Sequence, residues 1–289
     1  MTSQPEPARP SILGDLREVV GDLWRSRELL QQLTLRDLKL RYKQAVMGLG
    51  WALFMPLLVI LSGTFFRFLV SRTSDLPLDR AAIAAIAVKA LPWSFFVGTV
   101  GSATNSLTAN VQLVTKVYFP REVLPVSATL AHAFDFAVGL AVLVVALVAF
   151  HPPPSPAALL WVPPLILLVL GFATACALFL SCANLFFRDV KYIVQVLLTF
   201  GVFFTPVFFD ASLVGRYRGI VMLNPLAAPL EGLRLAIVQG HNLLTPLASG
   251  ASVVWQPTDL AYSAAVTTVA LVGSALLFHR SEFVFAEYV

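Results

Sequence analysis

Three ionisable side chains lie inside long apolar stretches of this sequence, where a charge is unusual. Arg67 and Lys89 are basic and Asp135 is acidic. A charge at the centre of a membrane costs about 2.5–3.5 kcal/mol on insertion scales, so such residues either extend toward the interface or line a polar pathway. Both interpretations stay open for Arg67 and Lys89. Asp135 is expected to face the bundle interior or to pair with one of these cations.

The sequence motifs of nucleotide hydrolysis and of common hydrolases are missing. There is no G-x-x-x-x-G-K-[ST], H-E-x-x-H or G-x-S-x-G run. The four histidines are scattered, and the spacing of Cys176 and Cys182 does not match a metal site. We therefore expect this chain to be no enzyme, with no catalytic residue, metal or cofactor of its own.

The composition indicates a membrane protein. Hydrophobic residues make up 58% of the chain, charged residues only 12%, and the mean hydropathy is +0.80. An average soluble domain is about a quarter charged. The net charge of +4 is too small to indicate nucleic-acid binding. Six apolar stretches are each long enough to cross a ~30 Å hydrocarbon core as a helix, near 47–70, 81–104, 124–150, 158–184, 191–209 and 259–279.

These stretches predict an all-α, polytopic fold with three parts. Residues 1–46 form a cytoplasmic tail with an amphipathic interface helix, 47–279 form a six-helix transmembrane domain, and 280–289 form a cytoplasmic tail. The tail pattern begins at Ile12, and a second amphipathic helix is predicted to begin at Thr34 as its N-cap. Lys and Arg in the short loops place both termini in the cytoplasm.

Two connecting segments carry further signals. The segment 210–258 is too apolar for a free loop and includes a short helix near 226–240, which predicts re-entrant or interfacial helices between spans five and six. The loop 105–123 is either an ordinary surface loop or a short amphipathic helix that docks a partner. Aromatic residues cluster as well, either as lipid-facing belts or as a pathway on which sugar rings stack.

In order along residues 30–289, four groups of residues resemble the membrane subunits of ABC exporters for O-antigen, capsule and teichoic acid, the ABC-2 type polysaccharide export permeases. They are residues 41–56; residues 91–96; residues 116–125; and the set 184–190, 205–206, 223–226 and 231–234. One departure is Lys89, where the family usually has a small or apolar residue.

The resemblance implies partners as well as a fold. It implies a homodimer with two copies of a separate ATP-binding subunit, which would hold ATP and Mg, in contact with membrane lipid and a lipid-linked polysaccharide. The loop that couples to the ATPase would consist of Lys116, Val117, Tyr118, Phe119, Pro120, Arg121 and Glu122. A second cytoplasmic loop would carry Arg188 and Asp189.

The resemblance also assigns residues to the substrate. Its lipid pyrophosphate would meet the basic residues Arg36, Lys39, Arg41 and Lys43. The glycan pathway would be lined by Trp93, Phe95, Phe96, Phe203, Phe204 and, for an anionic glycan, Lys89. A periplasmic gate would contain Asn224, Pro225, Glu231 and Arg234.

The sequence therefore predicts the permease subunit of an ATP-driven exporter in a bacterial inner membrane. It would move O-antigen-like, lipid-linked polysaccharide toward the periplasm or cell surface, as part of lipopolysaccharide biosynthesis. The alternatives are an ABC permease for a drug or a lipid and, from another class, a membrane-embedded enzyme that handles glycans.

Overall fold

The computed structural model describes residues 12–43, 48, 50–73, 78–117, 119–150, 156–249 and 252–285. These residues are mainly helical. Their helices are α1 (Ile12–Arg25), α2 (Arg27–Tyr42), α3 (Gly50–Thr73), α4 (Arg80–Thr104), α5 (Ser106–Ala109), α6 (Val111–Lys116), α7 (Val123–Phe150), α8 (Pro156–Leu159), α9 (Val162–Phe186), α10 (Val190–Phe204), α11 (Arg218–Met222), α12 (Ala227–Val238) and α13 (Pro257–Ser281). A 3₁₀ turn, Ala211–Tyr217, precedes α11, and another, Glu282–Val284, follows α13.

Five of these helices, α3, α4, α7, α9 and α13, are long and apolar enough to cross a membrane, and α10 is apolar but holds only 15 residues. All six fall on the predicted stretches, so the all-α polytopic fold is confirmed. The predicted end of the fifth stretch at 209 is wrong, because α10 ends at Phe204. Thr205 is extended (φ −115°, ψ 137°), the conformation that Pro206 favours in the residue before it.

Helix α4 lies at the centre of the bundle, in contact with α3, α7, α9, α10 and α12. The hydrophobic core includes Trp93 and Phe96 of this helix. Small side chains let the neighbouring helices approach it closely: Ala84, Ala85, Ala87 and Ala90 are all buried.

The two N-terminal helices pack on the ends of the long ones: α1 contacts α13, and α2 contacts α7. The amphipathic helix predicted from Ile12 is confirmed as α1. The prediction that a second helix begins at Thr34 is wrong, because α2 begins at Arg27 and runs through this residue. The Thr34 hydroxyl donates to the Leu30 carbonyl at 2.7 Å, as it does in a helix interior, and caps nothing.

The segment between α10 and α13 is folded. It contains α11, α12 and an antiparallel hairpin of β1 (Leu247–Ser249) with β2 (Ser252–Trp255), which the sequence did not predict. The short helix predicted near 226–240 is confirmed as α12. Gly240 (φ +63°) ends it, and the His241 amide donates back to the Leu235 carbonyl at 3.0 Å. That this segment re-enters a membrane stays a prediction.

The topology gives the bundle two different ends. The first, which we call the α6 end, carries α1, α2, α5 and α6 together with the C-terminal turn of α13. The second, which we call the α12 end, carries α11, α12 and the hairpin. Charged side chains inside the bundle collect near each of these ends, and both collections bear on function.

Candidate functional site

A cavity of about 720 Å³ lies between α2, α3, α4, α7 and α10. Its walls are mostly apolar, and five tryptophan and phenylalanine residues contribute to them: Trp51, Trp93, Phe95, Phe136 and Phe208. Polar atoms enter from four residues of α2 and α7, namely Arg41, Tyr42, His132 and Asp135, which we call the cavity cluster. An apolar cleft with a few convergent polar groups is the usual form of a ligand site.

The cavity cluster is held together by Asp135. Its carboxylate accepts hydrogen bonds from the Arg41 guanidinium and, at 2.5 Å, from the Tyr42 hydroxyl. A second guanidinium nitrogen of Arg41 lies 3.1 Å from His132 Nε2. Because guanidinium only donates, this imidazole nitrogen must accept, which requires the neutral form of His132. Partial burial and the Asp135 carboxylate raise the pKa of Tyr42 to about 12, so the phenol stays protonated.

The position of His132 depends on a glycine across the helix interface. A Cβ atom at Gly98 of α4 would lie 2.6 Å from His132 Nδ1, which is far too close for two atoms that are not bonded. The imidazole therefore occupies space that only glycine leaves free. Helices α4 and α7 approach closely at this point, and the imidazole ring of His132 lies beside the Arg41 guanidinium.

A second group of charges, the buried cluster, consists of Lys89 on α4, Asp210 after α10, and Glu231 and Arg234 on α12. The Lys89 ammonium donates to Asp210 Oδ1 at 3.0 Å and to the Phe209 carbonyl at 2.8 Å, and lies 3.8 Å from Glu231 Oε2. Arg234 donates to Glu231 Oε1 at 3.0 and 2.5 Å and lies 3.3 Å from Asp210. Within these four residues the two positive and two negative charges balance, and the charge of Arg67 also acts on Asp210.

The buried cluster attaches the segment after α10 to the core. Lys89 is 1% exposed and Glu231 is 0% exposed. Nearby, the Asn224 amide donates to Thr205 Oγ1 at 2.9 Å, and the Ser263 hydroxyl donates to the Pro225 carbonyl at 2.5 Å. The ends of α10, α12 and α13 are thereby joined around α4.

The loop between α4 and α7 forms two short helices, α5 and α6, at the opposite end. Lys116 and Val117 are exposed there, while Phe119 and Pro120 are half-buried. The loop is attached at its far side, where the Arg121 guanidinium donates to the carbonyl oxygens of Glu282 and Val114. Such an arrangement presents an exposed tip on a fixed base.

Comparison with known proteins identifies the family. The sequence model of the ABC-2 type transporter family matches residues 28–238, which run from α2 to the end of α12. The chain belongs to the ABC-2 type transporter family. The predicted family membership is therefore confirmed. The chain is a multi-pass membrane protein with a role in transport.

Three curated relatives show which members of this family the chain is similar to. The chain is 30% identical over 230 residues to the O-antigen export system permease protein RfbA of Myxococcus xanthus, covering 78% of this chain and 85% of that protein. It is 29% identical over 217 residues to a protein of the same name from Klebsiella pneumoniae, covering 74% and 81%. A second Klebsiella pneumoniae protein of that name is 28% identical over 214 residues.

The structure of this ABC-2 transporter tests two sequence-based expectations about intramembrane charges, those for Lys89 and Asp135. Lys89 does not extend to the surface, because its side chain is buried and ion-paired. Asp135 does face inward, but pairing with Arg67 or Lys89 is wrong, since its partners are Arg41 and Tyr42. Arg67 is half-buried, and its Nε atom has no hydrogen-bond partner among the described residues.

The four cations predicted to meet a pyrophosphate are not equivalent. Only Arg41 lines the cavity. Arg36 donates to Asp37 at 2.9 Å and to Asn110 at 3.1 Å. Lys39 and Lys43 are exposed on the surface of α2 and its C-terminal end.

The aromatic residues that were predicted to line the glycan pathway also lie in different places. Trp93 and Phe95 line the cavity. Phe96 is buried and stacks on Phe172 with ring centroids 5.9 Å apart. Phe203 and Phe204 are 63% and 74% exposed on the outside of the helix bundle. That position suits contact with lipid or with a second copy.

The remaining predicted residues lie at the two ends. Glu122 is buried beside α13, and Tyr118 lies outside the described residues. Arg188 and Asp189 are exposed, and Arg188 lines a polar hollow of about 430 Å³ with Lys191 and Asn184. Of the residues predicted for the gate, Glu231 and Arg234 belong to the buried cluster, whereas Asn224 contacts Thr205 and Pro225 contacts Ser263.

Sequence reasoning missed three participants: Tyr42, His132 and Asp210. His132 and Asp135 lie three residues apart on one face of α7, a spacing that could have joined them. Tyr42 follows Arg41 directly. Asp210 gave no comparable signal, because its partner Lys89 is 121 residues away in sequence.

Proposed function

We propose that this chain is the transmembrane permease subunit of an ATP-driven exporter of lipid-linked polysaccharide. The exported polymer would be O-antigen-like and would move from the cytoplasm to the periplasm or the cell surface. Membership of the ABC-2 family and the names of the curated relatives support this proposal. The observation that carries it is the cavity, which is lined by aromatic rings and by the Arg41 guanidinium.

The aromatic wall suits a sugar chain. Pyranose rings present apolar C–H faces, and these faces pack against aromatic rings. Trp93, Phe95 and Phe136 line the cavity as largely buried rings, and Trp51 and Phe208 add more exposed ones. Many weak contacts of one kind would let a chain slide without a fixed register, which transport of a repeating polymer requires.

Arg41 suits the phosphate end of the substrate. A guanidinium binds phosphate oxygens through two parallel hydrogen bonds. Without substrate, Asp135 occupies Arg41 and keeps it oriented toward the cavity. A diphosphate would replace that carboxylate as the partner of Arg41, while Tyr42 would continue to hold Asp135.

ATP hydrolysis would take place in a separate subunit, present in two copies and holding the ATP and Mg. Two copies of the permease would enclose the pathway in the inner membrane, with both termini in the cytoplasm. The α5–α6 loop would dock into the ATPase. Its exposed Lys116 and Val117 support this role, as does the attachment of its base through Arg121.

The function is tested by deleting the gene in its source organism and extracting lipid-linked glycans from the cytoplasm and from the cell surface. Loss of surface polymer with intracellular accumulation of finished lipid-linked chains is expected, and complementation should reverse it. Normal surface polymer would favour a permease for a drug or a lipid. Unfinished or unligated chains outside the membrane would favour a glycan-handling enzyme.

The docking role has a test of its own. Val117→Asp should greatly reduce the amount of ATPase that co-purifies with the permease, because it places a carboxylate on the exposed loop tip. Leu244→Asp is the matched control, since Leu244 is also an exposed apolar residue (66%, against 50% for Val117) and lies at the α12 end. Retention of the ATPase by Val117→Asp, or equal loss with Leu244→Asp, would contradict the docking role.

A further inference from the structure

Three metal-ligating side chains meet at the α6 end, away from the cavity. Glu122 lies directly before α7, His279 lies in the last turn of α13, and Glu282 begins the 3₁₀ turn that follows. One ligand atom from each lies within 4.8 Å of the other two. The sequence did not predict this group, because 157 residues separate Glu122 from His279.

The spacing of these atoms matches that of ligands around a small cation. His279 Nδ1 and Glu122 Oε1 are 3.2 Å apart. Tetrahedral Zn²⁺ sites have metal–ligand distances of about 2.0–2.2 Å, which puts neighbouring ligand atoms roughly 3.4 Å from one another. Two of the three ligand atoms therefore already stand near this separation, and the Glu282 ligand atom lies within 4.8 Å of both.

The charges of the group also fit a divalent cation. Glu122 is 2% exposed, and among the described residues neither Glu122 nor Glu282 forms an ion pair with a lysine or arginine. Arg121 lies close by, but its guanidinium donates to carbonyl oxygens, and only its backbone amide donates to the Glu282 carboxylate. The charges of Arg121 and His279 offset part of the negative charge of Glu282, and a divalent cation would compensate the rest of two crowded carboxylates, one of them buried.

We propose that Glu122, His279 and Glu282 form a binding site for one divalent transition-metal ion of the Zn²⁺ type. A mixed set of imidazole and carboxylate ligands suits such an ion better than Ca²⁺ or Mg²⁺, which prefer oxygen alone. Glu18 of α1 lies 3.9 Å from His279 Nε2, the ring nitrogen that does not face Glu122. Water completes the coordination.

The ion would join parts of the chain that are far apart in sequence. Glu122 follows the α5–α6 loop, and His279 and Glu282 end α13. Helix α1 is attached to the same place, because Arg280 donates to Asp15 at 2.8 and 3.0 Å. The bound ion would fix the base of this loop to the last helix. The inference depends on these side chains alone and is independent of the exported substrate.

The test uses the full-length chain, purified in detergent, freed of metal with a chelator and titrated with Co²⁺. We expect one Co²⁺ per chain, with the visible absorption of a tetrahedral site, and displacement by Zn²⁺. His279→Ala should weaken binding by more than the about 10–100-fold that is lost with a second-shell partner. His241→Ala is the control, since this histidine lies at the α12 end. Equal binding by His279→Ala and the wild type would overturn the proposal.

A second variant guards against a loss of binding through misfolding. Glu282→Gln keeps the size of the side chain and its ability to accept from the Arg121 amide. Zn²⁺ should raise the melting temperature of the wild type and of His241→Ala but not that of Glu282→Gln. An equal rise in all three proteins would show that Zn²⁺ binds elsewhere, and the absence of a rise in the wild type would also reject the site.

Discussion

The cavity cluster and the buried cluster are built from similar parts but differ in their access to solvent. In the buried cluster, Lys89 is 1% exposed and Glu231 is 0% exposed. In the cavity cluster, the Arg41 side chain is 30% exposed and that of Asp135 is 14% exposed. Arg234 of the buried cluster is 5% exposed and Asp210 is partly exposed at 25%, whereas the cavity cluster opens onto a cavity large enough for a ligand.

This difference separates structural charges from charges available to a substrate. An ion pair that is buried among protein atoms cannot exchange partners without a large desolvation penalty, so it fixes the elements that carry it. A partly exposed pair contributes little to stability and can give up one partner to an incoming anion. The same chemistry thus stabilises the α12 end and leaves the cavity responsive.

The strongest test of this comparison is Lys89→Met. Removal of one partner from a buried ion pair leaves the other uncompensated and costs about 3–5 kcal/mol. We expect a large fall in the thermal stability of the protein purified in detergent, together with a low yield. Lys39→Met is the control, because this lysine is exposed on α2 and should change stability by less than about 0.5 kcal/mol.

A double variant distinguishes charge from side-chain packing. Lys89→Met combined with Asp210→Asn removes one charge of each sign and leaves the Glu231–Arg234 pair in place. The double variant should be more stable than Lys89→Met alone. If Lys89→Met melted like the wild type, the buried cluster would have no structural role and the contrast between the two clusters would fail.

The second test concerns the cavity. Arg41→Gln should lower export by about 10–100-fold, since a hydrogen bond to a charged group contributes about 1.5–3 kcal/mol. The amount of protein in the membrane should stay near that of the wild type. Surface polymer per permease, measured in a complemented deletion strain, gives the result.

The other basic residues of α2 serve as controls for Arg41. Arg36→Gln and Lys43→Gln should reduce export far less, because neither residue lines the cavity. Equal losses in all three variants would indicate that the diffuse positive charge of the N-terminal segment recognises the substrate, rather than Arg41 within the cavity. A fall in protein abundance with Arg41→Gln would show that the Arg41–Asp135 ion pair also stabilises the fold.

Sequence predicted the spans because apolar helices depend mainly on local composition. Hydropathy and periodicity were enough to find the six stretches, helix α1 and the short helix α12. The start of α2 was wrong because Thr34 carries the same sequence signal as an N-cap and as an interior residue bonded to Leu30. The hairpin was missed because its strands hold three and four residues.

Partners of charged residues could not be predicted in the same way. Lys89 and Asp135 were recognised as unusual because a charge in an apolar stretch is a local signal. Their partners, Asp210 and Arg41, are 121 and 94 residues away in the chain. Which helices meet, and at what height, depends on the packing of the whole bundle. The division into a buried cluster and a cavity cluster therefore required the structure.

The smallest expected effect concerns the hydrogen bond within the cavity cluster. Tyr42→Phe removes the hydroxyl that donates to Asp135 and should lower the free energy of unfolding by about 1 kcal/mol at neutral pH. The pKa of Tyr42 is raised to about 12 from an ordinary value near 10. Its stabilising contribution is therefore complete below pH 10 and is lost as the pH rises from 10 to 12.

Stability measured against pH for the wild type and Tyr42→Phe would reveal this contribution as a difference between two curves. The curves should run parallel up to pH 10 and converge above it, since a phenolate beside Asp135 no longer donates. Tyr262→Phe is the control, because its hydroxyl donates to the Leu223 carbonyl and faces no carboxylate there. Convergence below pH 10 would mean that Tyr42 is not held in its neutral form by Asp135. The cavity cluster would then be looser than its geometry indicates, and Arg41 would exchange Asp135 for a phosphate at even smaller cost.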